Sequence, residues 1–175
     1  MLVRGKYIIL TIAFLSIGAA AFAWWYNVQQ SRRSVELWGR PTAEILRSAS
    51  EADLLRLSND IPVSAGVPAT VKIGDQVFYI AERKSVSDPG IPRVLIEDAA
   101  FDWEKKSKPV IPRDAGQLLG LEFHGESSTL TILVDLESGS VFDVNRGAAA
   151  VLTEECVKRF RDLERDQFAP ARQRP

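Results

Sequence analysis

The sequence holds one cysteine and one histidine in 175 residues. With Cys156 alone no internal disulfide forms, so an exported domain would rest on packing for its stability. The phosphate-cradling patterns G-x-x-x-x-G-K-[ST] and G-x-G-x-x-G and the nucleophile elbow G-x-S-x-G are missing. Their absence lowers the prior for nucleotide-binding, dinucleotide-binding and hydrolytic enzymes. Neither sign of charge is in excess, with 22 basic residues against 23 acidic ones. Two of the basic residues and none of the acidic ones fall in 1–26, which leaves 20 against 23 in the remainder. Such a mildly acidic body lacks the concentrated basic face of a nucleic-acid binder.

What is present first is an uncharged run, YIILTIAFLSIGAAAFAWWY, over residues 7–26. Twenty helical residues rise about 30 Å, the thickness of the hydrocarbon core of a bilayer. Arg4 and Lys6 precede the run in a basic segment, 1–6. Tyr7 opens it and Trp24, Trp25 and Tyr26 close it, ring types that favour the membrane interface. The expectation is a transmembrane anchor over 7–26, with those four aromatics at its interface and the lipid bilayer as partner. A cleaved signal is the alternative, since Ala21-Phe22-Ala23 fits the small-x-small pattern. The length of the apolar run and the bulk of Trp24-Trp25 favour retention as a signal anchor. Arg4 and Lys6 place the amino end in the cytoplasm and the domain outside, although Arg32, Arg33 and Arg40 pull the other way. The expected placement is single-pass in the cell membrane, or secreted after cleavage.

The rest of the chain reads as a polar linker over 27–36, one α+β domain over 37–168 and a flexible tail over 169–175. Pro41 suits the first turn of a helix, where its missing N–H has no partner to lose. EADLLRLS fits a strand or a capped helix, and the strand is the preferred reading. Apolar runs flank Gly74-Asp75, a turn in which glycine reaches positive φ, so a β-hairpin is expected. Residues 92–100 suit a short helix. Over 119–144 apolar residues alternate with polar ones, which predicts a three-stranded antiparallel meander with one buried and one wet face. Thr153, Glu154 and Glu155 suit the start of a helix that covers the sheet.

The motifs VELWG, LLRL and EDAAFDW, in that order with the hairpin, a lysine-rich link and the meander, resemble a group of uncharacterised bacterial proteins. That group is familiar from planctomycete-type genomes and its members are often exported or membrane-anchored. The resemblance covers about residues 36–145. It implies an architecture and no activity. Members often carry cysteines in the link and around the second meander strand, where this chain has none.

No catalytic residue, cofactor ligand or metal ligand is assigned. Glu122 and His124 lie two apart on a strand with Glu126 in the following turn, and one imidazole with two carboxylates is a possible metal donor set. Solvated side chains on a hairpin are the plainer reading. Glu97, Asp98 and Asp102, with Glu104, form an acidic cluster in which neighbours point in different directions on a helix. Asp135, Glu137 and Asp143 border the meander without the spacing of an EF-hand loop. Cys156 shares a helix stripe with Phe160 and Leu163 and reads as a buried small residue. The expected function is a non-catalytic interaction or accessory module held near a membrane or extracytoplasmic protein partner. The alternative is a small extracytoplasmic enzyme, or a ligand- or metal-binding domain, using the acidic cluster or His124.

Overall fold

The structure, a computed structural model, describes residues 2–61, 69–105, 110–125 and 128–168, with side chains given for all of these except 2–6, 8, 9 and 27–30. Three helices lead the chain: α1 (Leu2–Gln30), α2 (Arg32–Trp38) and α3 (Arg40–Ser48). Strand β1 (Ala52–Ser58) follows, then β2 (Thr70–Ile73) and β3 (Gln76–Val86). After α4 (Gly90–Val94) come β4 (Leu118–His124), β5 (Thr129–Asp135), β6 (Ser140–Asp143), β7 (Ala149–Val151) and the closing helix α5 (Glu154–Phe168). All seven strands join one sheet in the order β2-β3-β1-β4-β5-β6-β7, and each neighbouring pair is antiparallel.

This sheet corrects the expected three-stranded meander. Strands β4, β5 and β6 do form one, but β1 joins them to the hairpin β2–β3 by pairing with β3 on one side and β4 on the other. The reason lies in the leucines of ADLLRLS. Successive side chains in a strand point to opposite faces, and Leu54 on one face and Leu55 and Leu57 on the other are all buried. A strand apolar on both faces is stable only inside a sheet covered on both sides.

Two cores result. On one face Leu54, Leu121, Phe123 and Ile132 pack with Trp38, Leu46, Leu95 and Phe160 from the helices. On the other Leu55, Leu57, Phe78, Leu118, Leu133 and Phe142 pack together. The expected wet face of the meander is therefore covered too: Leu133, which shares that face with Thr131 and Asp135 by strand alternation, is fully buried. Gly74 has φ +58°, as the hairpin turn requires, and Pro41 sits in the first turn of α3. The segment read as a linker over 27–36 is helical in its described part, with Ser34 buried in α2. The tail over 169–175 lies outside the described residues.

Helix α1 stands apart from the cores. Leu10, Phe14, Ile17 and Trp24 are each about 70% or more exposed, at 69%, 78%, 70% and 72%. Even so, among the described residues no helix is long and apolar enough to cross a membrane. The transmembrane anchor over 7–26 and the single-pass placement derived from it are overturned. The reading of Tyr7, Trp24, Trp25 and Tyr26 as membrane-interface residues falls with them.

Candidate functional site

Asp53 of β1 and Glu122 of β4 are direct cross-strand partners. His124 lies two residues beyond Glu122 on the same face of β4. Its Nε2 is 3.2 Å from Asp53 Oδ2 and 3.8 Å from Glu122 Oε1. Arg83 of β3 completes the group, with Nη1 2.7 Å from Glu122 Oε1 and 3.1 Å from Asp53 Oδ2. The two carboxylates are mostly shielded, whereas the Arg83 side chain is 43% and the His124 side chain 55% exposed. The Asp53 carboxyl is held below its ordinary value of 3.8. Partial burial pushes it up, but hydrogen bonds from His124 and Ser85, with the charge and hydrogen bond of Arg83, outweigh that.

Glu122 and His124 thus belong to one cluster, and Glu126 lies outside the described residues. The missed members, Asp53 and Arg83, come from strands 71 and 41 residues before His124. Asp53 has a local sign, a charge beside Leu54 and Leu55, whereas Arg83 sits between Glu82 and Lys84 and has none.

The acidic group around 97–102 is not a cluster in space with a shared task. Asp98 receives the backbone N–H groups of Arg33 and Ser34. Asp102 Oδ1 accepts from the N–H groups of Glu104 and Lys105. Glu97 lies 4.0 Å from Arg93 at the surface. Asp135 and Asp143 are likewise engaged in their own turns, Asp135 with the N–H groups of Glu137 and Ser138 and Asp143 with those of Asn145 and Arg146. Cys156 is half-buried against the first core.

A second feature was not foreseen. Helices α2 and α3, the start of α4 and the end of α1 enclose a groove of about 1080 Å³. Trp24, Val35, Leu46, Pro92 and Ile96 give it apolar walls. Four arginines, Arg32, Arg40, Arg47 and Arg93, also line it, with Glu36 and Glu97 as the acidic members. Arg32 pairs with Glu36 at 3.5 Å and Arg93 with Glu97 at 4.0 Å. Arg40 and Arg47 are exposed and make no ion pair among the described residues. The groove therefore carries an excess of two positive charges over an apolar lining. A sequence signal exists in the arginine spacing of RRSVELWGRPTAEILR, but the expected linker over 27–36 takes in the first five residues of α2, which keeps the arginines from being placed on one surface.

No protein-family model matches the chain, and no curated protein or solved structure matches it either.

Proposed function

We propose that this domain is a non-catalytic interaction module that holds an acidic protein segment carrying apolar side chains. The observation that supports this reading is the groove of Arg40 and Arg47 over Trp24, Val35 and Ile96. An apolar lining supplies affinity through burial. Two unpaired guanidinium groups at the rim favour carboxylates, which they can bind through two parallel hydrogen bonds. Peptide docking of an apolar face into such a groove, with charge setting the choice of partner, is a recurring mode of recognition. The domain outside residues 1–26 is acidic overall, so a basic groove on it selects locally rather than attracting polyanions at a distance.

The test uses three probes on the full chain: a glutamate-rich peptide with a central Leu-Trp pair, its Glu→Gln counterpart, and a single-stranded oligonucleotide. Backbone amide signals are followed during each titration. The expected result is saturable shifts at residues 32–49 and 89–97 with the acidic peptide, weakened at least tenfold in the Arg40→Glu/Arg47→Glu double variant. Equal binding of the neutral peptide, tighter binding of the oligonucleotide, or shifts elsewhere would overturn the reading.

A further inference from the structure

The cluster on the opposite side of the sheet from the helices carries a separate chemistry. The ligand atoms of Asp53, Glu122 and His124 all lie within 4.8 Å of one another. Ligands held about 2.1 Å from a tetrahedral zinc ion are about 3.4 Å apart. The distances from His124 Nε2 to the two carboxylate oxygens, 3.2 and 3.8 Å, bracket that value. The three donors are therefore near coordinating separation before any backbone moves. They sit on β1 and β4, adjacent strands inside a seven-stranded sheet with a buried core on each face. That setting gives the rigidity a metal site requires of its ligands.

Arg83 decides how such a site would work. Its Nη1 contacts Asp53 Oδ2 and Glu122 Oε1, the same two oxygens that face His124. A guanidinium nitrogen thus stands where a cation would stand, neutralising one of two carboxylate charges. Its side chain is exposed enough to swing into water without disturbing either core. One neutral imidazole with two carboxylates suits a borderline divalent transition ion better than magnesium or calcium, which prefer oxygen alone.

We propose that Asp53, Glu122 and His124 form a binding site for a divalent transition-metal ion of the zinc type, with Arg83 as the resident counter-charge that the ion displaces. The two carboxylates balance the ion's charge and His124 gives the lone pair of Nε2 while its proton resides on Nδ1. Arg83 moves out to solvent. A fourth coordination position faces water, because His124 is on the exposed rim of the cluster. This site is independent of the arginine groove.

The experiment is a titration of the untagged full chain with zinc sulfate, followed through the imidazole ring protons. His124 is the only histidine, so those signals need no assignment among several. The expected result is one equivalent bound, with both ring signals shifted. His124→Ala should weaken zinc binding at least tenfold. Arg83→Gln should tighten it at least tenfold, because the competing cation is gone. A purely structural ion-pair network predicts the reverse for Arg83→Gln, lost stability with no gain in affinity. The proposal is overturned if the wild-type chain and Arg83→Gln bind zinc no better than His124→Ala, or if stoichiometric binding persists in Asp53→Asn/His124→Ala. Should Arg83→Gln fail to fold, the wild-type chain and His124→Ala carry the same decision.

Discussion

The backbone N–H of Ser34 donates to Asp98 Oδ1 at 2.7 Å, across 64 residues of sequence. The N–H of Arg33 donates to the other oxygen at 3.1 Å. One carboxylate thus satisfies two amides of the first turn of α2, which its own backbone cannot satisfy. Close by, the Ser34 hydroxyl donates to the Ile96 carbonyl, and Trp38 Nε1 donates to the Leu95 carbonyl at 2.6 Å. These bonds fix α2, one wall of the groove, to the segment around α4, the other wall. Asp98→Ala should cost about 1–2 kcal/mol of folding free energy. Asp98→Asn should cost less, since its amide oxygen still accepts. Urea melts of the three chains decide this, and equal midpoints would show that the contact carries no weight.

Gly120 is required by a close approach. A Cβ there would lie 2.8 Å from Leu55 Cβ, which is fully buried in the second core. Gly120→Ala should destabilise the fold by about 1–3 kcal/mol through overpacking. Only part of that cost should vanish in the background of Leu55→Ala, which removes the Cδ1 and Cγ that would lie 3.2 and 3.3 Å from the new Cβ but keeps the Leu55 Cβ. A double-mutant cycle in urea measures the coupling. Strict additivity would place the cost elsewhere than in this contact.

The Asp53 carboxyl sets a pH dependence. Its charged form is favoured in the folded state, so its contribution to stability is complete above the ordinary value of 3.8. That contribution is lost as the pH falls through the lower folded value. Asp53→Asn should therefore cost about 1 kcal/mol near neutral pH, and the gap to the wild-type chain should close on acidification. Melts in the presence of a chelator, taken at several pH values, check this. A gap that stays constant into acid would contradict the role assigned to the charge.

Leu133 illustrates how far the pattern of the sequence reaches. Alternation over 130–136 locates β5 and sets Leu133 with Thr131 and Asp135 on the face opposite Leu130, Ile132 and Val134, the face expected to be wet. It is buried because β1 and β3 extend the sheet and the hairpin closes over that side. Leu133→Ala should accordingly cost about 2–5 kcal/mol, measured by thermal or urea unfolding. A cost below about 1 kcal/mol is what an exposed leucine would give.

The hairpin strands and the three meander strands are legible, since each is marked by local periodicity. The pairing of 53–56 with 119–122 was not, because nothing local encodes contact between segments so far apart. Asp53 and Arg83 escaped notice for the same reason, as their significance depends on that pairing. Strand β7, Ala-Ala-Val, is too short and too weakly β-forming to stand out. Asp98 and Asp102 were visible as acidic residues, but their capping of distant or local amides depends on where the loops return.

The reading of the domain as a recognition module is tested most directly by selecting peptides from a random display library on the immobilised full chain, in parallel with Arg40→Glu/Arg47→Glu. The account predicts a consensus on the wild-type chain that combines acidic residues with Leu, Ile, Phe or Trp, and its disappearance on the double variant. Recovery of the same consensus from both chains, or of basic or neutral peptides from the wild-type chain, would contradict it.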